Sequence, residues 1–214
     1  MNPPSRTTEW LVWGGLAIII VAIAGAFVVS KLKPVNASPV YGQVADFSLT
    51  NQTGQTVSLA DLRGKVWVAD IIFTRCPGPC ARMTRQMKQL QDALPTDSTT
   101  KLVSLTTDAE FDTPPVLERY AQRYEAIPGR WLFLTGNQRE ISNLAIDSLK
   151  LTIVEKQPED RTTPEDLFIH STIFVVVDKQ ARLRGIFETG GEGVDWDQSR
   201  TDILTLVHQL EREP

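Results

Sequence analysis

The sequence predicts one layered α/β domain behind an apolar N-terminal segment, and three observations lead there. Strand-like and helix-like runs alternate through the middle of the chain and end in a hairpin followed by a helix. Only two cysteines occur, Cys76 and Cys80, and they stand where a β-rich run gives way to a helical one. The 19 residues from Leu11 to Val29 carry no charge.

With 214 residues and 42% apolar side chains, the chain can fill one core of ordinary domain size and still carry an appended segment. Its formal charge of −4 comes from 22 basic and 26 acidic residues in alternation, without the clustered Lys/Arg surface that a phosphate backbone requires. Nucleic acid is therefore not an expected partner. Two cysteines exclude a disulfide scaffold and leave one local unit of redox or metal chemistry.

As a helix, Leu11 to Val29 spans roughly 28 Å at about 1.5 Å per residue, enough for a bilayer core. Trp10 and Trp13 stand at its edge, where interfacial aromatics belong. We therefore expect a short tail over residues 1–10, a single transmembrane anchor in the lipid bilayer over 11–29, a linker over 30–38 and the folded domain over 39–214. A cleaved signal peptide is the rival, because Val35-Asn36-Ala37 resembles a cleavage site, but the apolar run is long for one and Lys31 and Lys33 intervene. The first ten residues hold one Arg and one Glu, unlike a mitochondrial leader, so the simpler placement is a bacterial inner membrane with the C-terminal domain in the periplasm. The flanking charges are nearly balanced and do not set the orientation by themselves.

Within the domain, Phe47-Ser48-Leu49-Thr50 and Thr56-Val57-Ser58-Leu59 alternate apolar and polar around the turn residues Asn51 to Gly54, which predicts an N-terminal β-hairpin. A turn through Asp61 to Gly64 follows. The run Val66 to Phe73 is β-rich and unbroken, the pattern of a central strand buried on both faces. Met83, Met87, Leu90 and Leu94 recur at helical spacing up to Pro95. Leu102 to Thr106 is the next strand, and Asp112-Thr113-Pro114-Pro115 supplies a cap and first-turn proline for the helix carrying Leu117, Tyr120 and Ala121. Trp131 to Thr135 reads as a strand and Gln138 to Leu149 as a helix, followed by an aperiodic loop or insertion from Glu155 to Asp166. Thr172 to Val177 and Leu183 to Glu188 form the terminal hairpin, and Ile203, Leu206, Val207 and Leu210 mark the closing helix. A cysteine pair at the point where a central strand feeds a helix makes this a thioredoxin-like α/β fold.

The segment Thr74-Arg75-Cys76-Pro77-Gly78-Pro79-Cys80 thus occupies a strand-to-helix turn, where unpaired amides and the helix dipole favour anionic sulfur; both thiols are expected to be acidic. The prolines are tolerated because first-turn amides have no intrahelical acceptor. Four-residue spacing can bring both sulfurs to one face, close enough to chelate one ion or to form a disulfide bond. The bland alternative is a purely structural disulfide in an oxidising compartment, or two unreactive core cysteines. Three intervening residues, one more than the usual redox motif, favour chelation.

Two soft thiolates make a partial site for Cu(I), and an imidazole completes it or supports Cu(II). Of the two histidines, His208 lies off the apolar face of the closing helix and reads as a surface residue. His170 directly precedes the Thr172 strand, where thioredoxins carry a proline facing the cysteines, so it is the expected third ligand of one copper ion, against a structural hydrogen-bonding role. Met83 and Met87 fit core packing better than thioether ligation.

Together these residues resemble the Sco/SenC family of copper proteins that serve cytochrome oxidase assembly. The resemblance is carried by Asp46 to Thr50, Val57 to Lys65, Phe73 to Cys80, Asp112-Thr113-Pro114 and His170-Ser171, across about 40 to 188. Ala81 departs from it, where the family usually has Pro, and so does Asp108-Ala109 in place of Asp-Pro. The resemblance implies a metallochaperone that is not an enzyme, passing copper to the binuclear copper centre of the copper-bearing subunit of cytochrome c oxidase, itself supplied by another periplasmic copper donor. It also places Asp108 near the copper as a residue tuning delivery or partner contact, with a solvated loop carboxylate as the alternative. A thiol–disulfide reductase using Cys76 and Cys80 as its catalytic redox pair is the competing function, and a redox or copper sensor a further one.

Overall fold

The structure is a computed structural model and describes residues 10, 13, 15, 16, 18–23, 39–161, 163 and 167–213, without the side chains of Pro158 and of residues 168–170. The chain divides into two compact units, Met1–Ser38 and Pro39–Pro214. In the first, Trp10, Trp13 and Ile18 to Ile23 are helical and exposed. No helix among the described residues is long and apolar enough to cross a membrane; much of the expected anchor, and all of 24–38, lies outside those residues.

The second unit is built on one sheet of eight strands in the order β1-β10-β9-β4-β5-β6-β2-β3. Its strands are β1 (Gly42–Gln43), β2 (Ser48–Asn51), β3 (Thr56–Ser58), β4 (Trp67–Ile72), β5 (Lys101–Thr106), β6 (Trp131–Thr135), β9 (Ile173–Val177) and β10 (Arg182–Glu188). The expected hairpin is β2–β3, with Leu49 opposite Val57. The central strand β4 runs parallel to β5 and antiparallel to β9. All six residues of β4 are buried, as an unbroken apolar run requires when both faces are covered.

Alternation along the strands splits the core in two. Ala69, Ile71, Val103, Leu105, Val175 and Val177 face one layer, while Val68, Ile72, Leu102, Phe174 and Val176 face the other. The first layer receives α1 (Leu59–Leu62) and the segment beginning with α4 (Gln138–Ser142), through Leu59, Leu62, Ile141 and Ala145. The second is covered by α2 (Cys80–Ala93), α3 (Pro114–Arg123) and α5 (Trp196–Arg212), through Met83, Met87, Leu90, Leu117, Ile203, Val207 and Leu210. Met83 and Met87 are fully buried there, so they pack the core. Burying each such side chain contributes about 1.5–3 kcal/mol, which is why the amphipathic stripes fix the layering.

Three elements differ from the sequence expectation. The turn after the hairpin begins as a helical turn, α1, because Ser58 and Asp61 close a capping box in which the Asp61 carboxylate accepts from the Ser58 amide at 2.8 Å. The helix expected over Gln138 to Leu149 continues beyond Ser142 as a π-helix, Asn143–Ser148, with Leu149 N donating to Leu144 O at 3.0 Å. The stretch read as a loop, Glu155 to Asp166, is bracketed by a small sheet that the sequence did not signal, β7 (Ile153–Glu155) paired antiparallel with β8 (Phe168–His170), and holds a 3-10 turn at Pro158–Asp160. Residues 162 and 164–166 between these strands lie outside the described residues.

Candidate metal centre

Strand β4 ends at Ile72 and the chain turns through Phe73 to Pro79 before α2 begins at Cys80. Pro79 is the N-cap, and its carbonyl accepts from Arg82 N and Met83 N at 3.0 Å each. Cys80 is therefore the first helical residue, with its side chain 1% exposed against the face that carries Val68 and Ile72. Cys76 lies in the turn, half-buried, with Gly78 N donating to its sulfur at 3.4 Å. Both cysteines are unbridged, and a hydrogen bond joins the two thiols.

The expectation that both thiols are acidic fails for Cys80. Burial pushes its pKa far up, the hydrogen bond with Cys76 and the charges of Cys76 and Asp70 push in the same direction, and a backbone hydrogen bond with Phe73 opposes them too weakly. Helix position alone suggested an acidic sulfur; desolvation outweighs the dipole here. Any ion bound at Cys80 must displace its proton.

His170 ends β8, its backbone opposite Ile153. The side chain of His170 lies outside what the structure describes. Among the described residues no group of three or more His, Cys, Asp or Glu side chains is gathered to hold a metal. The two thiols are thus placed together, and the third expected ligand is placed through its strand alone. His208 is on α5, partly exposed, with Nδ1 3.4 Å from a Glu211 oxygen.

Around the cysteine turn stands a set of residues that the sequence only half revealed. Arg75 Nε donates to Asp108 Oδ2 at 2.7 Å, and its guanidinium lies 4.4 Å from the centre of the Phe111 ring. Asp108 is 7% exposed, so it is no solvated loop carboxylate. Asp112, expected as part of the α3 cap, turns inward instead, and Thr113 takes the N-cap. The buried Asp112 carboxylate accepts from Thr74 N at 3.0 Å, from the Thr74 hydroxyl and from Thr106 Oγ1 at 2.5 Å. Burial raises its pKa, partly offset by those hydrogen bonds. A cleft of about 360 Å³ opens beside this cluster, lined by Arg75, Thr107, Asp108, Glu110, Gln138 and Arg161.

This geometry has relatives. The SCO1/SenC family profile matches residues 37–199. The SCO1 protein homolog of Bacillus subtilis is 35% identical over 167 residues, 77% of this chain and 83% of that protein. A candidate copper-binding protein of Stutzerimonas stutzeri is 29% identical over 144 residues, 66% of this chain and 67% of its own. The solved structure of BsSco, described as a member of the Sco family of cytochrome c oxidase assembly proteins with a disulfide switch, is 30% identical. It superposes with a TM-score of 0.64 over 85% of this chain and 100% of that one.

Proposed function

The chain belongs to the SCO1/SenC family, and from that premise we propose that it is a copper metallochaperone for cytochrome c oxidase assembly, binding one copper ion through Cys76, Cys80 and His170. The observation that carries this reading is the placement of the chain's only two thiols, hydrogen-bonded and unbridged, on one turn at the end of the central strand. Paired thiolates suit Cu(I), and an imidazole adds the nitrogen that Cu(II) prefers. Half-exposed Cys76 gives an incoming acceptor a sulfur to approach, and buried Cys80 keeps the ion from open solvent. Release then proceeds by ligand exchange to the binuclear copper centre of the oxidase's copper-bearing subunit, with another periplasmic copper donor as source.

In this reading, residues 11–29 anchor the chain in a bacterial inner membrane and the domain works in the periplasm. A reporter fused after Pro214 is expected to be active on the periplasmic side while the protein stays in the membrane fraction. A soluble product beginning at Ser38 would instead establish cleavage.

The decisive experiment is copper analysis of the purified full-length protein beside Cys76→Ser, Cys80→Ser and His170→Ala. Each cysteine change should abolish stoichiometric Cu(I); His170→Ala should weaken Cu(II) more than Cu(I), about 10–100-fold for a lost ligand contact. Full copper loading in both cysteine variants would sink the reading. The pairing of one accessible with one buried thiol also favours a second function, thiol–disulfide reduction, with Cys76 attacking a partner disulfide and Cys80 resolving. His170→Ala separates the two: loss of oxidase copper with intact disulfide exchange supports the chaperone, and intact oxidase assembly supports the reductase.

A further inference from the structure

The turn after β10 contains three glycines, and they are not glycine for the same reason. Gly191 and Gly193 have φ of 133° and 79°, conformations that L side chains rarely adopt. Gly190 has no such φ. What it lacks is room: a Cβ there would fall on the guanidinium of Arg82, 2.8 Å from Cζ and 3.3 Å from Nε. Arg82 is two residues beyond Cys80 in the first turn of α2, so its side chain runs from the cysteine-bearing helix across the backbone of this turn.

On its other side the same turn is tied to the chain just past His170. Thr172 Oγ1 donates to Gly190 O at 2.8 Å, while Thr189 N and Oγ1 donate to Thr172 O at 2.8 and 2.9 Å. From α2, the buried Gln86 Nε2 donates to Thr189 O at 2.8 Å. Thr189 and Gly190 therefore stand between the helix that starts at Cys80 and the segment two residues past His170. Arg82 lies over one end of that connection and Gln86 bonds the other.

We propose that Arg82 and Gly190 form a brace that sets the separation between the cysteine turn and His170, making both positioning residues for oxidised copper. The inference rests on the copper reading above and deepens it. Cu(I), satisfied by two thiolates on one side of the brace, is indifferent to that separation; Cu(II), which draws on the imidazole, is sensitive to it. Arg82 is exposed, so an added methyl at 190 pushes the guanidinium out of its place over the turn, undoing the brace, and leaves the core alone.

The test uses full-length protein in detergent, with Cu(I) and Cu(II) titrated separately into the wild type, Arg82→Ala, Gly190→Ala and the double variant. Each single change is expected to weaken Cu(II) about tenfold and to shift its sulfur-to-copper absorption band, with Cu(I) affinity within about twofold of wild type. Thermal midpoint and cysteine oxidation rate should stay put. The double variant should match Arg82→Ala, because removing the guanidinium clears the space that the methyl needs. Unchanged Cu(II) binding in both single variants, or equal losses for both ions, overturns the brace while the copper reading stands. A wild type that binds neither ion overturns both.

Discussion

Two buried aspartates, at opposite ends of the central strand β4, are held in opposite ways. Asp178 follows β9, whose end pairs with the start of β4 through Val177 and Trp67; Asp112 stands at the other end of β4, beside the cysteine turn. Asp178 is 2% exposed and accepts from Arg184 Nη1 and Arg182 Nε, both at 2.7 Å. Arg184 in turn reaches Glu213 at 2.8 Å, and Lys179 caps the end of α5 by donating to the carbonyls of Glu211 and Glu213. Asp112 is just as buried, yet its donors are two threonines and one amide. The first aspartate is neutralised by full charges and closes the fold. The second has only uncharged partners next to the site, where burial and the nearby Asp108 both work against its ionisation.

The difference appears in the proton affinities. Burial pushes Asp178 up, but hydrogen bonds from Arg184 and Arg182 outweigh it and its pKa falls below the ordinary carboxylate value. For Asp112, burial wins and the pKa rises. One end of β4 is thus held by arginines, and the other carries a buried carboxyl whose bonding partners are all uncharged, beside the cysteine turn.

The largest expected effect comes from breaking the first arrangement. Arg184→Met leaves Asp178 buried with one remaining arginine and Glu213 without its bidentate partner, and should cost roughly 3–5 kcal/mol in urea unfolding. Copper loading of the folded variant should be normal, since the lesion lies at the end of β4 away from the cysteine turn. A cost below about 1 kcal/mol would show that the clamp is not what holds this end of the sheet.

A pair of asparagine variants sharpens the contrast, with costs of about 1–3 kcal/mol each from a lost buried acceptor. Asp178 has a depressed folded pKa, so its contribution is complete above the unfolded carboxylate value and is lost as pH falls through the folded one. The gap between wild type and Asp178→Asn should therefore narrow in acid. Asp112 has a raised folded pKa, so the folded state takes its proton first and gains stability as pH falls towards the unfolded value. The gap between wild type and Asp112→Asn should widen over that interval. Two slopes of the same sign in pH-dependent unfolding would erase the distinction.

Much of this was legible in the sequence, and what was not has a common cause. Periodicity revealed the hairpin, the buried central strand, the cysteine helix and the terminal hairpin, because each pattern is local and repeats. Asp112 looked like a cap because it stands before Thr113 and two prolines; its partner Thr74 is 38 residues away, and no local signal reports that. Cys80 looked acidic because helix position is visible in sequence, whereas 1% exposure is a product of packing. The β7–β8 ladder was missed because three-residue strands carry too little alternation to stand out. Gly190 showed only as one glycine among several, and the signal that separates it from Gly191 and Gly193 is the position of Arg82.

The smallest effect tests whether charge at the site edge is held as loosely as the contrast requires. Among the described residues Arg75 is the cation paired with Asp108, but its side chain is 36% exposed, and an ion pair open to water gains little. Its contact with Phe111, itself 44% exposed, should add about 0.5–1 kcal/mol. A double-mutant cycle of Arg75→Met with Phe111→Leu keeps apolar cover in both positions and reads that coupling by chemical unfolding. A coupling near 0.5 kcal/mol leaves Arg75 free to swing from Asp108 when a partner docks at the cleft. A coupling above about 2 kcal/mol would mean that Arg75 is clamped as firmly as Arg184, and the cysteine turn would then be as rigid as the opposite end of β4.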